Sequence, residues 1–218
     1  VDDRGSDVTI FSFAGLAALY AGLPSFEFKK LLRLSGKDYN LVFFRDIRRL
    51  CYHVTPTGEP EGLDFYETAI RDVMKQLGSK HNVAMGVSVG GSAALYFGAK
   101  CGMQQVIGFS PGYPLTVYCG GLNQLQTFLD IPRLFLRPKA YAELALVTLA
   151  TGWSYRQLCK MKGKKNLWPV LDTYTTASPR PKATIFYGQH CRPDARQATF
   201  FDGLEDVKTV PVPTVYHN

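Results

Sequence analysis

The sequence lacks the features that assign a chain to several specialised classes of protein. Its longest apolar runs, residues 8–22 and 140–150, are interrupted by polar residues or glycine before they reach the roughly 20 residues that a helix needs to cross a bilayer. The N-terminus does not place basic residues before an apolar stretch, as a signal peptide does. These absences predict a soluble protein without a transmembrane segment. The first residue is Val rather than Met, which suggests a processed or excised segment.

Closely spaced cysteine motifs are also missing. The five cysteines, at positions 51, 101, 119, 159 and 191, form no C-x-x-C pair and are odd in number. This pattern argues against a zinc site and against a full disulfide framework. The sequence therefore predicts a reducing, cytoplasmic location and no metal site. Each cysteine is expected to be a small buried side chain, although Cys191 lies near polar groups and is a candidate reactive thiol.

The chain carries a formal charge of +7, which favours anionic partners. The basic residues occur in short, scattered clusters that also suit a solvated surface. No zinc finger, RNA-recognition signature or long basic helix accompanies them, so nucleic-acid binding is not predicted. Nothing in the sequence predicts the oligomeric state.

Strand and helix patterns alternate along most of the chain. Buried-strand patterns occur at residues 7–15, 39–46, 81–88, 104–111, 182–188 and 207–218, and helical patterns at 26–34, 62–78, 92–102 and 194–204. This alternation predicts an α/β fold, with a mostly parallel central sheet and helices on both faces. We interpret residues 1–218 as a single domain, with residues 112–181 as a helical cap or lid insertion.

Ligands of such sheets bind at the carboxyl ends of the strands. Gly15, Asp46, Ser88 and Ser110 are all expected at that edge. Ser88 lies within "MGVSVGGSAALYFG", residues 85–98, where glycines surround it in a G-x-S-x-G pattern between a strand and a helix. One interpretation is a tight turn that only needs small residues. The other is a nucleophile elbow, a strained turn that presents the serine hydroxyl at the edge of the sheet.

This order of elements resembles the α/β-hydrolase superfamily, in which the catalytic residues follow in the order Ser, Asp or Glu, and His. The resemblance covers nearly the whole chain. It implies Ser88 as the nucleophile, Asp194 as the acid and His217 as the base. It also implies an oxyanion hole formed by the amide of Val89 and an amide of the early loop, Gly15 or Leu16. Members usually continue with a helix after the histidine loop, whereas only Asn218 follows His217 here.

Each of these assignments has a structural alternative. Asp194 suits the N-cap of a helix, and Asp202 and Asp206 are weaker candidates for the acid. Gly15 suits an ordinary loop, and Arg45 suits an internal pair with Asp46 better than an anionic substrate group. Further candidates for substrate contact are Tyr52, His53, Tyr113 and Trp153.

The implied activity is a serine hydrolase that cleaves a carboxylic ester or thioester through an acyl-enzyme and requires no metal or organic cofactor. The apolar content of the predicted lid suits an acyl chain, and its lysines suit an anionic group or a carrier protein. Two alternatives stay open from the sequence: an acyltransferase with the same triad, and a catalytically inactive binding module that keeps the fold.

Overall fold

Strands and helices alternate along the chain in the computed structural model, which describes residues 1–15, 26–113, 157–161, 167 and 169–214. The strands in these residues are β1 (Val8–Phe13), β2 (Asn40–Phe44), β3 (His81–Val87), β4 (Gln105–Phe109), β5 (Lys182–Gly188) and β6 (Val207–Val212). The helices are α1 (Lys29–Leu34), α2 (Gly62–Leu77), α3 (Val89–Lys100), α4 (Val170–Thr176) and α5 (Arg192–Ala198), and a 3-10 turn follows at Thr199–Phe201.

The six strands form one parallel sheet in the order β2-β1-β3-β4-β5-β6. The chain therefore builds the sheet outwards in both directions from the neighbouring strands β1 and β3. In open parallel sheets, ligands bind at the carboxyl edge where the strand order changes direction. The predicted parallel sheet is confirmed. By this rule, a ligand-binding site is expected at its carboxyl edge, between β1 and β3.

Both faces of the sheet are covered. Alternate residues of a strand point to opposite faces, and in β1 Phe11 and Phe13 join the larger core cluster while Ile10 joins the smaller one with Leu32 of α1. Helix α3 is buried along almost its whole length. It lies so close to the sheet at Gly98 that an added Cβ atom would be 2.6 Å from Cγ2 of Val106.

The helix boundaries differ from the predictions by a few residues. Helix α1 begins at Lys29 rather than at residue 26, because Phe28 has a left-handed backbone with φ of 65°. Helix α3 begins directly after Ser88. Helix α5 begins at Arg192, where Pro193 in the first turn has a φ angle suited to a helix start.

Most of the predicted insertion, residues 112–181, lies outside the described residues. Helix α4 lies near its C-terminal end. Val170 and Tyr174 of α4 belong to the main core cluster, and the Tyr174 hydroxyl donates a 2.5 Å hydrogen bond to the carbonyl of Pro181. Helix α4 therefore packs with the body of the protein.

One of the described cysteines forms a disulfide. Cys159 is disulfide-bonded, whereas Cys51, Cys101 and Cys191 are buried and not disulfide-bonded. Disulfides are typical of oxidising compartments, and the reducing, cytoplasmic location stays a prediction from the sequence. No helix in the described part of the chain is long and apolar enough to cross a membrane.

Candidate active site

Ser88 occupies a strained turn between β3 and α3, at the carboxyl edge of the sheet. Its φ of 54° and ψ of −124° lie in a region that residues other than glycine rarely adopt. Its N–H donates to the carbonyl of Phe109 at 2.8 Å, and its own carbonyl accepts from the N–H groups of Ser92 and Gly112 at 3.1 Å each. Backbone strain of this kind concentrates at functional sites. The predicted strand–turn–helix context of Ser88 is confirmed.

The glycines around Ser88 are required by close backbone approach. A Cβ atom on Gly86 would lie 2.2 Å from the Gly90 carbonyl oxygen, and one on Gly90 would lie 2.2 Å from the carbonyl oxygen of Phe13. The start of α3 is therefore in close backbone contact with β3, the strand that precedes it, and with the end of β1. The need for small residues and the strained serine are two properties of the same turn.

Replacing Gly90 with alanine should destabilise the protein by about 3 kcal/mol, since the new methyl group would meet backbone atoms that cannot rotate away. Gly108→Ala is the matched control in the same sheet, because its added methyl group would have no neighbour nearer than 3.9 Å. We expect the control to change the free energy of unfolding by less than about 1 kcal/mol. Urea unfolding of the two variants measures the difference, and equal losses would contradict the close approach at Gly90.

Asp194 is buried in the first turn of α5, the helix that follows β5, and β5 lies next to β4 in the sheet. Only 1% of its surface is exposed. Its Oδ2 atom accepts a 2.5 Å hydrogen bond from the Ser110 hydroxyl and a 3.4 Å bond from the N–H of Gly188. The N-cap of α5 is Cys191, so the alternative that Asp194 serves as the N-cap is wrong.

A short segment after β4, residues 110–112, connects Ser88 with Asp194. Gly112 donates its N–H to the Ser88 carbonyl, and Ser110 donates its N–H to the Phe186 carbonyl at 2.7 Å. The Ser110 hydroxyl meanwhile binds the Asp194 carboxylate. The structure therefore brings the predicted nucleophile and the predicted acid to the same edge of the sheet, each hydrogen-bonded to this one segment. Ser110 was expected at the carboxyl edge of the sheet, but its contact with Asp194 was not predicted.

His217, Leu16 and Trp153 lie outside the described residues, and their roles stay predictions. The chain that leads towards His217 can be followed to Thr214. There, the N–H groups of Gln189 and His190 donate to the carbonyls of Val212 and Thr214, at 2.8 and 3.0 Å. The end of β6 therefore runs beside the loop that leads into α5 and Asp194.

The two described oxyanion candidates have different surroundings. Val89 is the first residue of α3, and the first amides of a helix have no partner within it. The Gly15 N–H instead donates to both carboxylate oxygens of Glu27 at 3.2 Å each. Burial raises the pKa of Glu27 above its ordinary value. This contact of Glu27 was not predicted, because nothing in the run "FEFKK" indicates that its side chain reaches back to the end of β1.

Tyr52 and His53 do not line a pocket as expected, since neither has any exposed surface. The Tyr52 hydroxyl donates to the Ala14 carbonyl at 2.8 Å, and burial raises its pKa well above the ordinary value. Nδ1 of His53 lies 2.6 Å from the Cys51 carbonyl oxygen. The loop after β2 therefore folds into the core rather than over the edge of the sheet. There the Tyr52 hydroxyl holds Ala14, the residue that follows β1.

The expected pair between Arg45 and Asp46 is also absent from the described ion pairs. The Asp46 carboxylate instead accepts the N–H groups of Arg48 and Tyr52 at 3.0 and 2.9 Å. The Arg45 guanidinium lies 5.8 Å from the ring centre of Phe26, and the Lys29 ammonium lies 6.0 Å from the same ring.

The remaining substrate candidate, Tyr113, is half-buried against the 3-10 turn, with its ring centre 5.7 Å from that of Phe201. Desolvation raises the pKa of Tyr113 above its ordinary value. Within the described ranges, no cluster of His, Cys, Asp and Glu side chains is arranged to hold a metal ion.

Comparison with solved structures identifies the architecture. The capsule O-acetyltransferase of Neisseria meningitidis serogroup A is similar over 96% of this chain and 80% of its own, with a TM-score of 0.61 and 16% identity. A carboxylesterase structure from the thaumarchaeon Nitrososphaera gargenis is similar over 97% and 83%, with a TM-score of 0.56 and 13% identity. An alpha/beta hydrolase enzyme from a Medee basin deep-sea metagenome library is similar over 97% and 82%, with a TM-score of 0.52 and 13% identity.

This chain has the α/β-hydrolase fold. No protein-family model matches the sequence, and no curated protein matches it. In this sheet β3 leads into the turn at Ser88, and Asp194 follows β5, the strand two places along from β3. The resemblance stated from the sequence is thus confirmed at the level of the fold.

Proposed function

We propose that the protein is a serine hydrolase that cleaves a carboxylic ester or thioester. The observation that carries the proposal is the strained backbone of Ser88 at the junction of β3 and α3, directly before the amide of Val89. A serine held in this way is positioned for attack on a carbonyl carbon, and the adjacent helix amide suits the negative charge that develops on the carbonyl oxygen.

The proposed reaction proceeds in two balanced steps. The Ser88 oxygen bonds to the acyl carbon while its proton passes to His217, which returns the proton to the departing alcohol or thiol. Water then attacks the acyl-enzyme, gives its proton to His217, and releases the acid with regeneration of the Ser88 hydroxyl. Asp194 orients the imidazole, and the amides of Val89 and of Gly15 or Leu16 bind the oxyanion.

The surroundings of Asp194 support its role in this proposal. It is almost fully buried, and its carboxylate is held by donors from two neighbouring strand ends rather than by solvent. The end of β6 runs alongside the loop that carries it. His217 follows Thr214 by three residues, which an extended chain spans in at most about 11 Å.

Acyl transfer to an alcohol is a second candidate function, favoured by the similarity in fold to the capsule O-acetyltransferase. Both activities use the same acyl-enzyme and differ in whether water or an acceptor hydroxyl releases it. Arg45 and Lys29, which flank the ring of Phe26, are the described cations that we propose for an anionic group of the substrate or of its carrier.

Fluorophosphonate labelling followed by peptide mapping tests the proposal, because this reagent phosphonylates only activated serines. We expect one label, on Ser88. Turnover of p-nitrophenyl acetate with and without added alcohols then separates hydrolysis from transfer, since an acceptor speeds release only in a transferase. Absence of the label, or a label on another serine, would overturn the proposal in favour of a binding module that keeps the fold.

Removal of the Glu27 carboxylate should raise kcat/KM for p-nitrophenyl acetate by about three-fold to ten-fold. The Gly15 N–H donates to this carboxylate, so an oxyanion would have to displace the carboxylate before it could accept the same N–H. One hydrogen bond to a charged group is worth about 1.5–3 kcal/mol before competing costs are subtracted. Glu27→Ala exposes the amide, whereas Glu27→Gln keeps an acceptor oxygen and should change the rate less. A slower Glu27→Ala enzyme of unchanged stability would show that Gly15 is not an oxyanion donor.

A further inference from the structure

We propose that Ser110 is a positioning residue that fixes the catalytic acid through its side-chain hydroxyl. This inference rests on the proposed function, since it concerns how Asp194 is held for its histidine. It assigns Ser110 no contact with the substrate. It makes the segment of residues 110–112 part of the catalytic apparatus.

The contact between Ser110 and Asp194 is short and buried. The Ser110 hydroxyl donates to Oδ2 of Asp194 at 2.5 Å, and each residue exposes 1% of its surface. A hydrogen bond to a carboxylate is stronger than one between neutral groups, and burial strengthens it further. The bond joins residues 84 positions apart, so it connects the end of β4 with the first turn of α5.

The backbone of Ser110 shows that the side chain is retained against a local cost. Its φ is 43°, in the left-handed region that favours glycine. A glycine would adopt this conformation without strain but would provide no hydroxyl. Among the described contacts, the hydroxyl bond to Asp194 accounts for a serine at this position.

The same segment also holds the nucleophile. The Ser88 N–H donates to Phe109 directly before Ser110, and Gly112 donates back to the Ser88 carbonyl. Movement of Ser110 would therefore change the position of the nucleophile turn and of the acid together. The hydroxyl bond adds a second effect, because a donated hydrogen bond draws negative charge away from the Asp194 carboxylate.

Ser110→Ala and Ser110→Gly form the decisive pair of variants. Both remove the hydroxyl, while only glycine relieves the backbone strain, so the glycine variant should melt at the higher temperature. We expect both to lose about ten-fold to a hundred-fold in kcat/KM for p-nitrophenyl acetate, the value of one hydrogen bond to a charged group. We also expect the acid-side midpoint of the pH–rate profile to rise in both, because a carboxylate with one donor fewer stabilises the protonated base more strongly.

Ser92→Ala is the control, because Ser92 is fully buried in α3 and its hydroxyl has no hydrogen-bond partner among the described residues. It should keep the wild-type rate and pH profile. Fluorophosphonate labels the wild type if the proposed function holds, and an unlabelled wild type would overturn that function together with this inference. A labelled wild type beside Ser110 variants of unchanged rate, or of reduced rate with an unmoved pH midpoint, would overturn the positioning role alone.

Discussion

Ser88→Ala is expected to lower kcat for ester turnover by about 10⁶-fold, the scale of loss seen when a serine nucleophile is removed from a catalytic triad. The acyl-enzyme cannot form without the Ser88 oxygen, so only binding and the oxyanion donors remain to accelerate attack by water. The effect should fall on kcat far more than on KM, because the hydroxyl contributes to the transition state rather than to substrate binding.

Stopped-flow and end-point assays with p-nitrophenyl acetate measure this loss, and two further variants make it interpretable. Ser92→Ala changes a buried serine four residues along the chain, in α3, and should keep full activity. Ser88→Gly should be as inactive as Ser88→Ala but more stable by about 1 kcal/mol, because glycine adopts the φ of 54° without strain. Activity of Ser88→Ala within ten-fold of the wild type would exclude Ser88 as the nucleophile.

The central sheet was predictable because its strands are local patterns. Strands β1 to β5 are largely apolar runs followed closely by glycine, charge or serine, and β5 begins and ends at the predicted residues, Lys182 and Gly188. The turn at Ser88 was predictable for the same reason, since the glycines that permit close packing are neighbours in sequence. Side chains that are buried on both faces of a parallel sheet leave an uninterrupted apolar signal.

The contacts that complete the candidate site were not predictable from local pattern. Ser110 and Asp194 are far apart in the chain, and only the parallel order of β4 and β5 brings them together. Glu27 meets Gly15 because the chain returns to the end of β1 before α1 begins. Tyr52 and His53 follow a strand and were expected at the edge, but the loop turns inwards and buries both. The periodicity of apolar residues predicts which face of a strand or helix a residue lies on. It does not predict which group from a distant part of the chain that residue contacts.

Asp194→Asn should lower kcat by about 10⁴-fold with little loss of folded protein, as the equivalent change does in other serine triads. An amide cannot accept the imidazole N–H with the same charge, and its NH₂ group favours the wrong tautomer of the base. The buried position of Asp194 and its bond from Ser110 limit the ways in which solvent can replace it. Fluorophosphonate labelling should slow by a similar factor, since the reagent also needs an activated serine.

The control for Asp194 is Asp202→Asn. Asp202 was a rival acid in the sequence, but it is exposed and its carboxylate accepts a 3.2 Å bond from the Thr209 hydroxyl. An exposed carboxylate of this kind interacts only weakly with other charged groups, so the rate should stay within two-fold of the wild type. The reverse result, with Asp202→Asn inactive and Asp194→Asn active, would move the acid from α5 to the turn after it. The Ser110 bond would then hold an aspartate with a structural role only.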